Sequence, residues 1–303
     1  MHDRRRFLKT TMAGAGLLAV RPGLALSGEA TAPGLGAKTA ADRVVLGRTG
    51  VTCSFLAQGT GFNGWARASD HTRMGQPALT RLLRHGFDAG MNFLDMADLY
   101  GTHPFVREAV QGVPRDRMVM LTKLWPARAD WVTPSGGARD EVDRFRTELG
   151  TEMIDVCLIH CVQDDRWLSE YARVRDELSE LKDKGVLRAV GVSCHDHGAL
   201  KLAASHPWVE VIFARINHRG GKEFSCDDTR DEVAKTLRLA RANGKAVVGM
   251  KIFGAGKLTT PEDRDASLAY VLGERLVDAM TIGMTTTAQV DDSVRRIDRT
   301  LAA

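Results

Sequence analysis

Tyrosine is scarce in this chain. Tyr100, Tyr171 and Tyr270 are the only three among 303 residues, so a tyrosine in a loop at the end of a strand carries information. Net charge is missing too, once the first 27 residues are set aside. Of 42 basic and 38 acidic residues, that segment holds five basic (Arg4, Arg5, Arg6, Lys9, Arg21) and one acidic (Asp3), leaving 37 of each. The pI of about 8.9 therefore describes the leader and is no sign of a nucleic-acid surface. The five cysteines (Cys53, Cys157, Cys161, Cys194, Cys226) are odd in number, and no pair has zinc-ribbon spacing, so mainly free thiols are expected. There is no internal repeat and no long low-complexity tract. With 44% apolar residues, one large domain can bury its core. A phosphate loop is also absent: Gly256-Lys257 lacks the following Ser or Thr and the earlier glycine.

At the N-terminus, Asp3-Arg4-Arg5-Arg6-Phe7-Leu8-Lys9 precedes an apolar stretch, Thr10 to Val20, too short to span a bilayer. Small residues follow near Ala25-Leu26-Ser27. Residues 1–27 read as a signal peptide and resemble a twin-arginine leader, with Asp3 where such leaders usually carry Ser or Thr. Export to the periplasm through the twin-arginine translocon is the expectation, with the protein already folded. Residues 28–42, rich in Ala, Gly, Thr and Pro, read as a flexible linker, and residues 43–303 as the folded domain.

The rest alternates strand and helix. Arg43 to Leu46 and Val51 to Leu56, split by Gly47-Arg48-Thr49-Gly50, form an N-terminal β-hairpin. Apolar runs then end at Gln58, Asp95, Lys123, His160, Ser193, Ile216, Ile252 and Ile282. Helical periodicity lies between them, at Ala78–Ala89, Thr102–Gln111, Asp140–Leu149, Leu168–Lys184 and Thr229–Asn243. Eight strands with intervening helices predict an α/β fold, a (β/α)8 TIM barrel. The competitor is an open doubly wound sheet. Its support is Gly59-Thr60-Gly61-Phe62-Asn63-Gly64, which fits G-x-G-x-x-G; the following Trp65-Ala66-Arg67-Ala68-Ser69-Asp70 reads as loop rather than helix, so the match is taken as chance.

Three successive strands deliver Asp95, Lys123 and His160 at their C-terminal ends, and Tyr100 follows Asp95 by five residues. In a parallel barrel these ends share one face, where chemistry is done. Carbonyl reduction needs a proton donor beside the oxygen. A free tyrosine has a pKa near 10; a nearby lysine ammonium lowers it, a carboxylate keeps the lysine charged, and a histidine orients the substrate oxygen.

Here the chain resembles the aldo-keto reductase family, over most of residues 43 to 295. Asp95-Met96-Ala97-Asp98-Leu99-Tyr100-Gly101 matches the family's D-x-A-x-x-Y-G motif, and Leu121-Thr122-Lys123 and Leu158-Ile159-His160 match the strands carrying its lysine and histidine. The resemblance implies NAD(P)H-dependent reduction of an aldehyde or ketone, or the reverse alcohol oxidation. Tyr100 would be the general acid, Asp95 and Lys123 its tuners, and His160 the orienting group. It also implies NADP, with NAD possible, and a monomer. Gly191-Val192-Ser193 resembles the element that holds the carboxamide, with Cys194 replacing its Asn; Phe213 replaces a Gln on the sixth strand. Ile282 to Val290 resembles the phosphate-binding turn and helix start, without the Lys and Arg that clamp a 2′-phosphate. Ser193, Gly59, Lys251, Gly283, Gln289 and Asp292 make up the cofactor-binding set, although Lys251 also suits a substrate carboxylate or a plain rim position. Substrate choice would fall to Phe62–Arg73, Trp125–Pro134 and His218–Asp228, with Trp65, Trp125 and Trp131 as pocket candidates. Two other readings remain. One is a barrel that binds nucleotide without turnover, as a sensor or accessory subunit. The other is a metal-dependent hydrolase using Cys194-His195-Asp196-His197. No metal is expected.

Overall fold

The computed structural model describes residues 36–126 and 137–303. Residues 1–27, read above as a leader, the start of the stretch read as a linker, and Trp131 lie outside the described residues. Two short strands, β1 (Arg43–Val45) and β2 (Thr52–Ser54), pair antiparallel with Val44 opposite Cys53. Val44, Leu46, Val51 and Cys53 are buried. The turn between them approaches the start of a barrel strand so closely that a Cβ on Gly47, which has φ +51°, would strike the backbone at Ala246. The hairpin thus covers the N-terminal end of the barrel, away from the strand ends that carry the ionisable residues.

The barrel is β3 (Leu56–Gly59), β4 (Phe93–Asp95), β5 (Val119–Leu124), β6 (Ile154–Val162), β7 (Leu187–Cys194), β8 (Val211–Arg215), β9 (Ala246–Met250) and β10 (Ala279–Gly283). All neighbours are parallel, and β10 pairs with both β9 and β3, closing the sheet. The strands are near-continuous apolar runs because both faces are covered, by helices outside and by side chains from opposite strands inside. The expected strands agree with the observed ones to within a few residues.

The helices are α1 (Asp70–Arg73), α2 (Gln76–Asp88), α3 (His103–Ala109), α4 (Ala138–Leu149), α5 (Trp167–Glu170), α6 (Ala172–Asp183), α7 (His197–Ser205), α8 (Arg230–Ala242), α9 (Pro261–Gly273) and α10 (Thr287–Leu301). The helix expected over Leu168–Lys184 is broken at Tyr171 into α5 and α6. Helices α1, α7 and α9 were not expected. Helix α7 begins inside the Cys194–His197 stretch: Asp196 is its N-cap, accepting from the Ala199 amide at 3.0 Å. Helix α9 carries a plain start signal, the Thr260 cap followed by Pro261. Residues 37–42 are also more ordered than a linker. Ala40 is fully buried; its amide donates to Asp298 at 2.6 Å and its carbonyl accepts from Leu56 at 2.9 Å. The folded unit therefore begins before Arg43.

A polar network lies under the turn that follows β4. Asp98 is buried and accepts from both Arg67 and Arg144. Arg67 and Arg144 each continue to Glu148, at 2.6 and 2.9 Å. Glu148 also bonds His103 at 2.9 Å, whose other ring nitrogen meets the Thr122 hydroxyl at 2.7 Å. Burial pulls Glu148 toward the protonated form, but the bonds from His103 and Arg67 win and hold its pKa down at about 2.

Two tests follow. A carboxylate depressed in this way stabilises the fold above its unfolded pKa, near 4.3, and that stability disappears as pH falls toward 2. Glu148→Gln should remove about 1–2 kcal/mol at neutral pH and flatten the loss of melting temperature between pH 5 and 2; an unchanged acid slope would refute the assignment. At the N-terminal end of the barrel, buried Asp155 accepts from the Met120 amide at 2.9 Å, Arg115 at 2.6 Å and Arg188 at 2.9 Å. Asp155→Ala strands the buried Met120 amide and removes both ion pairs, and should cost about 2 kcal/mol in urea unfolding, at the end of the barrel remote from the strand-end cluster.

Candidate active site

Asp95, Lys123 and His160 reach one face because β4, β5 and β6 are parallel neighbours. Lys123 is 1% exposed; its ammonium donates to the Asp95 carboxylate and, at 2.9 Å, to the Met96 carbonyl. The second Asp95 oxygen accepts from the Thr281 hydroxyl of β10 at 2.8 Å. The ammonium stands 5.0 Å from the centroid of the Tyr100 ring and 4.8 Å from that of Phe213, so it is flanked by two aromatic rings. His160 meets Tyr100 edge-on at 5.6 Å between centroids. All four expected residues are therefore brought together.

Tyr100 ends a 3-10 turn, Asp98–Tyr100, followed by Gly101 in the left-handed region. The glycines of the G-x-G-x-x-G match explain its seat. A Cβ on Gly61 or on Gly64 would collide with the Tyr100 ring, and one on Gly101 with the Arg67 carbonyl. The Gly59–Gly64 loop is thus a cradle for the tyrosine and not a dinucleotide fingerprint.

Burial governs the titration of this cluster. It pushes the Tyr100 hydroxyl well above its ordinary range, and the Asp95 carboxylate acts in the same direction. The lysine was expected to lower it; in the structure Lys123 is already matched by Asp95, and desolvation wins. His160 is held neutral, well below the usual imidazole range, by burial and then by the charges of Lys123 and Lys251. Its buried Nδ1 has no hydrogen-bond partner among the described residues.

A cavity of about 220 Å³ opens from this cluster and runs to the start of α10. Asp95, Tyr100 and Lys123 line one part of it, and Gly59, Lys251, Gly283, Gln289 and Asp292 the rest. His160 and Ser193 do not line it. Ser193 is fully buried at the end of β7, and its hydroxyl accepts from the Cys161 amide at 3.2 Å. Arg264 of α9 also lines the cavity, 3.9 Å from Asp292. The sequence reading missed this cation because it comes from an element outside the phosphate-turn segment; the Thr260-Pro261 helix start was the available signal.

Other candidates are engaged elsewhere. His197 bonds Asp228 at 2.6 Å and Thr236 at 3.0 Å. Cys194 is buried in β7. Among the described residues no three His, Cys, Asp or Glu side chains gather as for a metal. Trp65, 54% exposed, stacks edge-on against Trp125 at 5.5 Å, and Trp125 against His160 at 5.7 Å, so an aromatic ladder descends from the surface to the histidine.

The chain was compared with known proteins. An aldo-keto reductase from Mycolicibacterium smegmatis is 30% identical over 114 residues, which is 37% of this chain and 38% of that protein; the chain thus spans little more than a third of this relative's length. The NADH-specific methylglyoxal reductase of Escherichia coli is 25% identical over 240 residues, 74% of this chain and 71% of the relative. Among solved structures, an aldo/keto reductase from Klebsiella pneumoniae in complex with NADP and acetate shares the fold, with a TM-score of 0.61 at 18% identity, covering 88% of this chain and 90% of that one. The profile of the aldo/keto reductase family matches residues 59–270, well over half of the sequence. With the closed barrel and the strand-end cluster, that match means that the chain belongs to the aldo/keto reductase family.

Proposed function

We propose that this protein reduces the carbonyl of an aldehyde or ketone at the expense of NADPH, with Tyr100 as the proton donor. The observation that carries this reading is the juxtaposition of Tyr100, Lys123 and Asp95 on one cavity, with His160 packed edge-on to the tyrosine.

The residues around the cavity fit a dinucleotide. Gly59, Gly256 and Gly283 line it with backbone. A Cβ on Gly59 would meet Ile282 and Thr281 at 2.9 Å. The start of α10, capped by Thr286, has first-turn amides that need outside acceptors, as phosphate oxygens are. Arg264 adds a cation there. The Escherichia coli relative is NADH-specific by name, whereas the Klebsiella structure contains NADP; Arg264 favours the phosphorylated cofactor.

When bound, NADPH supplies a hydride to the carbonyl carbon. The chain's own groups do the rest. Tyr100, kept protonated by burial, gives its proton to the carbonyl oxygen as charge develops there. The phenolate left behind is stabilised by the Lys123 ammonium, whose position Asp95 and the Met96 carbonyl fix, until solvent returns the proton. Neutral His160, packed edge-on against the Tyr100 ring, helps to hold that ring in place and takes no proton itself. Trp125, packed edge-on against His160 and Trp65, stands beside this cluster.

A second reading, nucleotide binding without turnover, draws on Ser193, which is committed to the Cys161 amide, and on Phe213 beside Lys123. Titration with NADPH and NADH, followed by a panel of aldehydes, quinones and keto-sugars, separates the two. Turnover should fall roughly a thousandfold in Tyr100→Phe with NADPH affinity retained. Binding with no turnover of any substrate would favour the second reading, and no binding of either nucleotide would sink both.

The leader Asp3–Lys9 supports export in the folded state by the twin-arginine route, to the periplasm; a monomer is what the family resemblance implies. N-terminal sequencing of the exported protein should begin after Ser27; retention of the leader in a cytoplasmic product would refute this.

A further inference from the structure

The charges at the tyrosine end of the cavity do not cancel. Lys123 is matched by Asp95, and Arg215 by Asp227, to which its Nε donates at 2.7 Å. Lys251, the residue after β9, also lines the cavity, and its ammonium makes no hydrogen bond or ion pair among the described residues. Asp95, Tyr100 and Lys123 line the same cavity; burial lowers the Lys251 pKa first, and the charges of Arg215, Asp95 and Lys123 also bear on it. In turn it acts on His160 and His195. Both histidines are neutral, His195 pushed down to about 3 by burial and Arg215, and the Cys161 thiol is neutral because burial raises it to about 11. One positive charge is left over, beside the residues assigned to the chemistry.

The backbone holds that charge in place against its own preference. Lys251 has φ +58°, the left-handed region, which costs a side-chain-bearing residue about 1–2 kcal/mol. The conformation is fixed by its carbonyl, which accepts from the Gly254 amide at 2.8 Å and from the Asn217 side chain at 3.3 Å; Asn217 is itself anchored on the Phe224 carbonyl at 2.9 Å. Lys251 is half-buried, and a cation partly withdrawn from water with no counter-ion gains from a ligand that supplies one.

We propose that Lys251 receives a carboxylate of the substrate, so that the compounds reduced are aldehydes or ketones that also carry an acid group. This rests on the reductase reading above and names its substrate class. The cofactor's phosphates are the competing anions. They have the start of α10 and Arg264 available, whereas the charge of Lys251 bears on His160, His195 and Cys161.

The test compares acids with their esters: succinic semialdehyde and 2-oxobutanoate, each beside its methyl ester, reduced with NADPH by the wild type, Lys251→Met and Lys251→Arg. The wild type should prefer at least one acid over its ester by roughly tenfold in kcat/KM. That ratio should fall to near one in Lys251→Met and be kept in Lys251→Arg. A wild-type ratio near one for both pairs, or a ratio unmoved in Lys251→Met, would overturn the proposal. So would a roughly tenfold loss of NADPH affinity in Lys251→Met with the ratio intact, which would assign the ammonium to the cofactor. Calorimetric titration with succinate, in the presence of NADP, needs no turnover. If the wild type reduces nothing, succinate binding that Lys251→Met abolishes still upholds the carboxylate site while the reductase reading fails; equal succinate binding by the two proteins overturns it.

Discussion

A lysine ammonium inside a barrel has lost its water, and only an equally buried anion can replace it. In this protein the Lys123–Asp95 pair answers that requirement, and much of the site is arranged around it. The pair joins β4 to β5, and the Thr281 hydroxyl brings in β10 through the other Asp95 oxygen. Because β10 pairs with β3, and β3 with β4, it is the pairing of the last barrel strand with the first that brings Thr281 to Asp95. Phe213 and Tyr100 flank the ammonium and keep bulk water from it.

Tyr100 is held from two sides by different physics. On one side the loop glycines let backbone approach its ring where any side chain would collide. On the other, Asp98, two residues earlier in the same turn, is locked between Arg67 and Arg144, and Arg67 comes from the same glycine-containing connection. The turn is thereby tied to α4 through Arg144 and Glu148. Such a network fixes position more than it adds stability, since buried ion pairs repay little beyond their own desolvation. Position is what a proton donor needs, because transfer requires hydrogen-bond contact.

Much of the fold was legible because its cause is local. Each barrel strand is a short apolar run that must be buried on both faces, and the amphipathic periods of α2, α4 and α8 show in the sequence. The D-x-A-x-x-Y-G spacing placed Asp95 and Tyr100 at one strand end, and the ends of β5 and β6 added Lys123 and His160. Helix α7 was not legible in the same way: its start lies among Cys194, His195 and His197, and those residue types drew attention as possible ligands although Asp196 is simply a cap.

What the sequence by itself determined is the order of elements, the closed parallel barrel they imply, and the four polar residues at successive strand ends, since all of these follow from hydrophobic period and chain direction. Tertiary structure alone decided three other matters. It made Gly61 and Gly64 the seat of Tyr100, because a glycine's role depends on what approaches it. It turned the Ser193 hydroxyl to the Cys161 amide and carried Arg264 to the cavity from a distant helix. It also set the balance of charge, leaving Tyr100 protonated by burial and Lys251 without a counter-ion, because desolvation and pairing depend on distances between residues far apart in the chain.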